Sequence, residues 1–194
     1  MKRLAVAALA ACALVAVACS PTKGAPPSTA DVVVWGDSFG ESVAPYLAGP
    51  GGYAVRAYGG TAPCDWIEDI GRVVSAGPPA VAVLVFVGNT VTRCTGGTTS
   101  GYGVDMVRAT AILRAAGSRV VIVAALPFGG GPSPNPVNAA YMFASATGAR
   151  IAWAPSESVA PGGIYSPAFR EADGVHLNAA GALRFAEAIK REIG

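Results

Sequence analysis

Ala80-Val-Ala-Val-Leu-Val-Phe-Val87 and Arg119-Val-Val-Ile-Val-Ala-Ala-Leu126 are the two stretches that decide the fold. Both are almost wholly apolar and rich in β-branched residues, as expected for strands that are buried on both faces of a parallel sheet. Three further apolar runs have the length of strands: Asp31–Trp35, Tyr53–Tyr58 and Ala149–Ala154. The chain therefore predicts a five-stranded parallel sheet.

Helix-like segments alternate with these runs, at Glu41–Leu47, Trp66–Ser75, Val104–Ala116 and Val137–Thr147. A last helix is predicted from about Asn178 to Ile193, because apolar residues recur there at helical spacing and Asn178 is a suitable N-cap. Strands that alternate with helices through right-handed crossovers form a three-layer α/β/α sandwich.

The amino-terminal residues predict export from the cell. Two basic residues precede an apolar stretch that ends in Ala-Val-Ala-Cys19, so residues 1–18 are interpreted as a lipoprotein-type signal peptide, with Cys19 as the lipidated residue. The alternative is a plain secreted protein that is cleaved nearby. Residues 19–30 are rich in Pro and predict a flexible tether, which leaves residues 31–194 as one domain. We therefore expect contact with the membrane only through a lipid anchor.

The charge balance argues against a nucleic-acid partner. The whole chain carries 14 basic and 12 acidic side chains, and two of the basic ones lie in the signal segment. The mature chain is then formally neutral, whereas a protein that binds nucleic acid normally shows a basic excess or stripe. We expect no nucleic acid among its partners.

Two of the four cysteines are predicted to form a disulfide. Cys12 falls in the signal segment and Cys19 is the predicted lipid carrier, so Cys64 and Cys94 remain as a pair in an oxidising compartment. The alternative is two unrelated buried thiols. Neither cysteine has metal-ligand spacing, and one histidine is too few for most zinc sites, so no metal site is predicted.

Small and polar residues follow each predicted strand. In chain order these segments are Gly36-Asp37-Ser38, Gly59-Gly60-Thr61, Gly88-Asn89-Thr90 and Gly129-Gly130-Gly131, and Asp173 and His176 come after the fifth strand. Ligands of open parallel sheets bind beyond the carboxyl ends of the strands. We therefore expect all of these segments to lie at one edge of the sheet.

Ser38, Asp173 and His176 are the candidate catalytic residues. A serine hydroxyl becomes a competent nucleophile when a base removes its proton, and the base works best when a carboxylate fixes its tautomer. His176 is the only histidine of the chain, and Asp173 lies three residues before it, within reach of its ring. Each residue alone could have a purely structural role, in a turn or as a surface side chain. The order and placement of the three residues favour a catalytic role.

At these positions the chain resembles the SGNH hydrolase family, also called the GDSL-like esterases. Gly36-Asp37-Ser38 matches the first family block, with Phe39 where Leu is commonest, and the segment from Asp173 to His176 matches the last block, Asp-x-x-His. The resemblance covers nearly the whole of the predicted domain. It implies a flavodoxin-like arrangement of the sandwich.

The second and third family blocks match less closely. Gly60 fits the glycine of the second block best, although Gly59 is a close competitor. The third block, Gly-x-Asn-Asp in the family, is shortened here to Gly88-Asn89-Thr90. The resemblance thus implies an oxyanion hole made of Ser38 N–H, Gly60 N–H and the side-chain amide of Asn89.

The resemblance implies a serine esterase that hydrolyses carboxylic esters through an acyl-enzyme on Ser38, without a metal or organic cofactor. The expected partner is a small-molecule, glycan or lipid ester. One alternative is an O-acyltransferase that uses the same triad on cell-envelope glycans. The other is a non-catalytic envelope-binding protein on an esterase scaffold, and the altered third block supports this alternative.

Aromatic residues in or beside the same loops are candidates for the lining of an acyl or sugar subsite, and about half of them are expected in the core instead. They are Trp66, Tyr102, Phe128, Tyr141 and Phe169. The segment that begins with Gly129-Gly130-Gly131 is interpreted as either a lid or a long connection.

Overall fold

All five predicted strands form and pair in parallel in the computed structural model, which describes residues 30–48, 53–90, 92–127 and 135–194. They are β1 (Val32–Gly36), β2 (Tyr53–Ala57), β3 (Val81–Val85), β4 (Arg119–Val123) and β5 (Arg150–Ala152). Their spatial order is β2-β1-β3-β4-β5. The direction of winding reverses between β1 and β3, and open sheets of this order bind ligands beyond the carboxyl ends of those two strands.

Helices cover both faces of the sheet, as the three-layer prediction requires. One face carries α1 (Ser38–Leu47), α5 (Ala154–Val159) and α6 (Ala179–Ile193), and the other carries α2 (Pro63–Ala76), α3 (Thr99–Ala115) and α4 (Val137–Ser145). Short 3-10 turns lie at Arg93–Thr95, Pro161–Gly163 and Pro167–Phe169.

Side-chain alternation along the strands fills both cores. Val34 of β1 packs against α1 and α6, whereas its neighbours Val33 and Trp35 pack against α2 and α3. Successive strand residues point to opposite faces, so a strand between two helical layers needs apolar residues at every position. This is why β3, in which all five residues are buried, was recognisable in the sequence.

The helices α1, α2 and α3 begin earlier than predicted, α4 ends two residues earlier, and one short helix is additional. α2 begins at Pro63, because proline is favoured in the first turn of a helix. α3 begins at Thr99, because the Thr98 hydroxyl accepts a hydrogen bond from Gly101 N–H at 3.0 Å and caps it. α5 was not predicted: it has only six residues, and Ala154, assigned to the fifth strand from the sequence, is its first.

A buried carboxylate fastens α2 to the sheet. Asp69 accepts hydrogen bonds from Trp35 Nε1 of β1 at 2.9 Å, from Arg56 of β2 at 3.0 Å and from Arg72 at 2.9 Å. A buried carboxylate requires such partners, because its desolvation is otherwise costly. The ion pair therefore fixes how α2 leaves the loop that contains Gly60.

Several predictions fall outside the described residues: the signal segment, the lipidation site Cys19, the tether up to residue 29, Phe128 and the Gly129-Gly130-Gly131 loop. Within the described ranges, no helix combines the length and the hydropathy that crossing a bilayer requires.

Candidate active site

Ser38 is the first residue of α1, directly beyond the carboxyl end of β1. The turn needs glycine at position 36, because a Cβ there would lie 2.7 Å from Val85 O and 2.9 Å from Gly40 Cα. Asp37 caps the helix by accepting a hydrogen bond from Phe39 N–H at 3.0 Å. Ser38 thus lies at the positive end of a helix dipole, which favours an alkoxide or a developing oxyanion.

Asp173 and His176 form a hydrogen-bonded pair. His176 Nδ1 lies 2.6 Å from Asp173 Oδ2, and the other carboxylate oxygen accepts Val175 N–H at 2.8 Å and His176 N–H at 3.0 Å. Gly174, at φ +74°, supplies the left-handed backbone of the turn. The bond to the His176 side chain and the two backbone N–H groups lower the pKa of Asp173 to about 2. The carboxylate is therefore charged and holds the ring through Nδ1.

The loop that carries this pair is closed by its own backbone. Arg170 and Leu177 form an antiparallel bridge, and Glu171 N–H donates to His176 O at 2.7 Å. Asn178 then caps α6 by accepting Gly181 N–H at 2.9 Å, as the sequence predicts. Hydrogen bonds within the loop itself therefore fix the positions of Asp173 and His176 relative to each other.

Contacts between α1 and α6 bring this loop to Ser38. The ring of Phe39, the next residue after Ser38, lies 6.5 Å from the His176 ring and 6.3 Å from the Phe185 ring, centroid to centroid. Within the described residues no hydrogen bond joins Ser38 Oγ to His176. In unliganded enzymes such bonds are often long and shorten when substrate binds. The His176 side chain is 44% exposed, so solvent reaches it.

Gly59 and Gly60 differ in what their N–H groups do. Gly59 N–H donates to Glu41 Oε2 at 2.9 Å, and a Cβ on Gly59 would lie 3.7 Å from Ser38 Cβ. Gly60 adopts φ +77° and, in the described part of the chain, its N–H has no protein acceptor. Of the two N–H groups, that of Gly60 is therefore the one that is free to donate to a bound molecule, and its neighbour Gly59 lies beside Ser38.

Asn89 also reaches the site, in spite of the shortened third block. Its Nδ2 donates to Thr61 O at 3.0 Å and to Asp37 Oδ2 at 3.3 Å. Asn89 thus bridges the loops that follow β1 and β2. All of the predicted oxyanion donors, from three different loops, lie at the same edge of the sheet.

Asp37 is a site residue that sequence reasoning missed. It is fully buried, and Oδ2 also accepts Val87 N–H at 2.7 Å. Burial raises the pKa of Asp37 to about 7, against the opposing effect of the backbone N–H groups and of His176. Its position directly before the serine was visible in the sequence, but its contact with residues 50 positions later was not.

A disulfide joins Cys64 to Cys94, as predicted. It connects the start of α2, just beyond Gly60, to the 3-10 turn beyond Asn89. Among the residues that the structure describes, Cys64, Asp65 and Cys94 form the one group of clustered metal-ligand types. Because metals bind cysteine as the thiolate, two sulfurs bonded to each other do not provide a metal centre.

Three of the aromatic candidates belong to the core. Trp66, Tyr102 and Tyr141 are at most 2% exposed, so they do not line a subsite in this structure. Phe169 is half-buried and packs under the Arg184 guanidinium at 5.2 Å.

The fold is shared with solved structures of several hydrolases. A GDSL-like lipase from Bacteroides thetaiotaomicron aligns with a TM-score of 0.66 at 16% identity, over 84% of this chain and 86% of its own. A candidate acylhydrolase from Bacteroides fragilis aligns with a TM-score of 0.66 at 20% identity, over 84% and 85%. A catalytic mutant of an acetylxylan esterase from Geobacillus stearothermophilus aligns with a TM-score of 0.62 at 15% identity, over 87% and 96%.

At these identities the likeness establishes the fold: the chain has the α/β/α architecture of GDSL-like lipases and acetylxylan esterases. No family model and no curated protein matches the chain.

Proposed function

We propose that the protein is a serine esterase that hydrolyses carboxylic esters through an acyl-enzyme on Ser38. The observation that carries the proposal is the 2.6 Å bond between Asp173 and His176, on a loop packed beside the helix that starts at Ser38. A further support comes from the acetylxylan esterase, whose catalytic mutants change a serine, and an aspartate three residues before a histidine. Asp173 and His176 have that spacing.

The reaction follows from the roles of the three side chains. His176 Nε2 accepts the Ser38 proton while Oγ attacks the ester carbonyl, and the tetrahedral intermediate collapses when His176 returns that proton to the departing alcohol. A water molecule, deprotonated by His176, then attacks the acyl-enzyme, and the acid leaves with the proton restored to Ser38. Asp173 keeps the ring in the required tautomer and stabilises the imidazolium.

The oxyanion of each intermediate is assigned to three donors: Ser38 N–H, Gly60 N–H and the Asn89 amide. The first two have no protein acceptor in the described residues, so they are ready to donate. Asn89 already donates twice, and the longer of its two bonds, to Asp37 at 3.3 Å, is the one that the oxyanion must share or replace. Such donors work because they are in place before charge develops.

Hydrolysis is favoured over transfer to a second alcohol by the openness of the site. The side chains of Asp173 and His176 are 48% and 44% exposed, so water reaches the base without passing a barrier in the described part of the chain. An acyltransferase must keep water from its acyl-enzyme. The structural relatives are named as a lipase and as an acetylxylan esterase. For this reason, the hydrolysis assays should compare acetyl esters with esters of longer acyl chains.

The test is hydrolysis of chromogenic esters by the purified protein and its Ser38→Ala variant. We expect the variant to lose activity by several orders of magnitude, as removal of a triad serine does. Ser75→Ala is the matched control, because Ser75 is an exposed helical serine of α2 whose hydroxyl bonds only Gly71 O. A fluorophosphonate probe should label Ser38 alone.

Two results would reject the proposal. Equal rates for the wild type and Ser38→Ala would show that any hydrolysis comes from another group. An inactive protein that the probe leaves unlabelled would instead favour a non-catalytic binding protein.

We also propose that the enzyme acts outside the cell, attached to the membrane through Cys19. The support is the sequence pattern around that residue. Metabolic labelling with an alkyne fatty acid should mark the wild type and not Cys19→Ser. Labelled wild type in the medium, or an unlabelled secreted form, would contradict the anchor.

A further inference from the structure

The Asp37 carboxylate is surrounded by hydrogen-bond donors. Oδ1 accepts Phe39 N–H at 3.0 Å, and Oδ2 accepts Val87 N–H at 2.7 Å and Asn89 Nδ2 at 3.3 Å. The side chain is 0% exposed, so no solvent competes for these bonds. One buried group thus connects the helix of the nucleophile to the segment that ends in Asn89.

Buried side chains also form hydrogen bonds with the backbone of this segment, at Val87 and Gly88. Asn135 Nδ2 donates to Val87 O at 3.0 Å, and Gly88 N–H donates to Tyr102 Oη at 3.1 Å. Val87 N–H is bound by Asp37 alone. Loss of the Asp37 carboxylate would therefore remove both side-chain bonds between this segment and the nucleophile turn, and would leave the backbone bond from Asp37 N–H to Val85 O, just before the segment.

We propose that Asp37 is a positioning residue, which fixes the Asn89 amide beside Ser38 by binding Val87 N–H and Asn89 Nδ2 together. The inference rests on the proposed function in so far as Asn89 is an oxyanion donor. Asp37 touches no reacting atom, and its effect on the reaction passes through Asn89.

The position of Asn89 then depends on the charge of Asp37. Both oxygens face donors, so a proton on Oδ2 replaces an acceptor and displaces Val87 N–H or Asn89 Nδ2. Burial raises the pKa of Asp37 to about 7, which puts this change in the neutral range. The titratable groups that interact with Asp37 are His176, which favours its charged form, and the neutral phenols Tyr102 and Tyr141.

A double-mutant cycle separates positioning from simple capping. Asp37→Ser keeps an N-cap oxygen for Phe39 N–H, since serine caps helices as well as aspartate does, but it removes the acceptor for Val87 and Asn89. We expect Asp37→Ser to lower kcat about 10-fold or more with KM changed little, within the loss expected for a whole oxyanion donor. The double variant with Asn89→Ala should be no slower than Asn89→Ala alone. Independent, multiplicative losses would overturn the proposal.

A second readout does not need activity. The side-chain amide NMR signals of Asn89, identified by their absence in Asn89→Ala, should shift with pH around 7 in the wild type and stay constant in Asp37→Ser. Asp105→Asn is the control, because it removes another carboxyl of raised pKa, on α3, outside these contacts. An Asn89 signal that ignores pH in the wild type would reject the link. A titrating signal in a protein without esterase activity would keep the link and reject the proposed function.

Discussion

Glu41 Oε2 accepts a hydrogen bond of 2.9 Å from Gly59 N–H, which joins α1 to the loop after β2. Glu41 lies one turn after Ser38 on the same helix, so Ser38 and the turn that contains Gly60 are fixed to each other. The bond occupies the N–H of Gly59, whereas the neighbouring N–H of Gly60 has no protein acceptor in the described residues.

Glu41→Ala tests the importance of this bond. Without the carboxylate, the turn is no longer fixed to α1, and we expect kcat to fall about 10-fold because a small displacement of a donor is costly. Glu41→Gln keeps an acceptor oxygen of the same reach and should stay close to wild type. Steady-state kinetics on a short ester will distinguish the two variants, and equal values for both would remove Glu41 from the positioning of the turn.

Substitution of two glycines by alanine should have effects of opposite sign on stability. Gly60→Ala meets no atom within 4 Å but must adopt φ +77°, which we expect to cost about 1–2 kcal/mol in the free energy of unfolding. Gly71→Ala, in the middle of α2 with equally open surroundings, should gain about 0.5–1 kcal/mol. Urea denaturation measures both, and a neutral Gly60→Ala would mean that the turn adopts another conformation.

Asp173→Asn should leave the fold intact and lower kcat about 10³- to 10⁴-fold, because the amide can present a donor to Nδ1 and stabilise the wrong tautomer. Glu171→Gln, an exposed change on the same loop, serves as the control. Esterase assays will check this, and a loss below about tenfold would assign the role of Asp173 to another group.

The pKa of Asp173 offers a test that needs no substrate. Since the folded protein lowers this pKa to about 2 from 3.8, the charged carboxylate contributes stability at pH values above about 4, and that contribution disappears as the pH falls towards 2. His176→Ala removes the largest cause of the shift, so the pKa should rise towards 3.8. Carboxyl carbon NMR gives both values, and an unchanged pKa in the variant would contradict the bond.

Removal of the disulfide should affect both stability and rate. The bridge closes a loop with a sequence separation of 30, for which chain-entropy arguments give about 3–4 kcal/mol. Paired Cys64→Ser and Cys94→Ser should lower the unfolding free energy by about that amount. The paired substitutions should also reduce kcat, because the disulfide connects the loop of Gly60 to the loop of Asn89. Intact mass with and without reductant must first show the pair oxidised, and two free thiols would reject the bridge.

Most of the fold was predictable, because the sheet is buried on both faces, so that β3 and β4 are continuous apolar runs in the sequence. The contact between Asp173 and His176 was predictable because the two residues are three positions apart in sequence. The hydrogen bond that occupies Gly59 N–H was not, since it depends on a carboxylate of α1, 18 positions away. The contacts of Asp37 were not predictable for the same reason. Strand register brings Val87 beside Asp37, and no local sequence pattern predicts that register. α5 is simply too short to produce a recognisable period.

Ser38 belongs to the first helix and His176 to the loop before the last, and Phe39 joins them by packing against Phe185. A nascent chain therefore presents its hydroxyl long before the ribosome has made the imidazole. Under the proposed mechanism, the onset of esterase turnover would therefore report the moment when the loop of His176 docks beside Ser38.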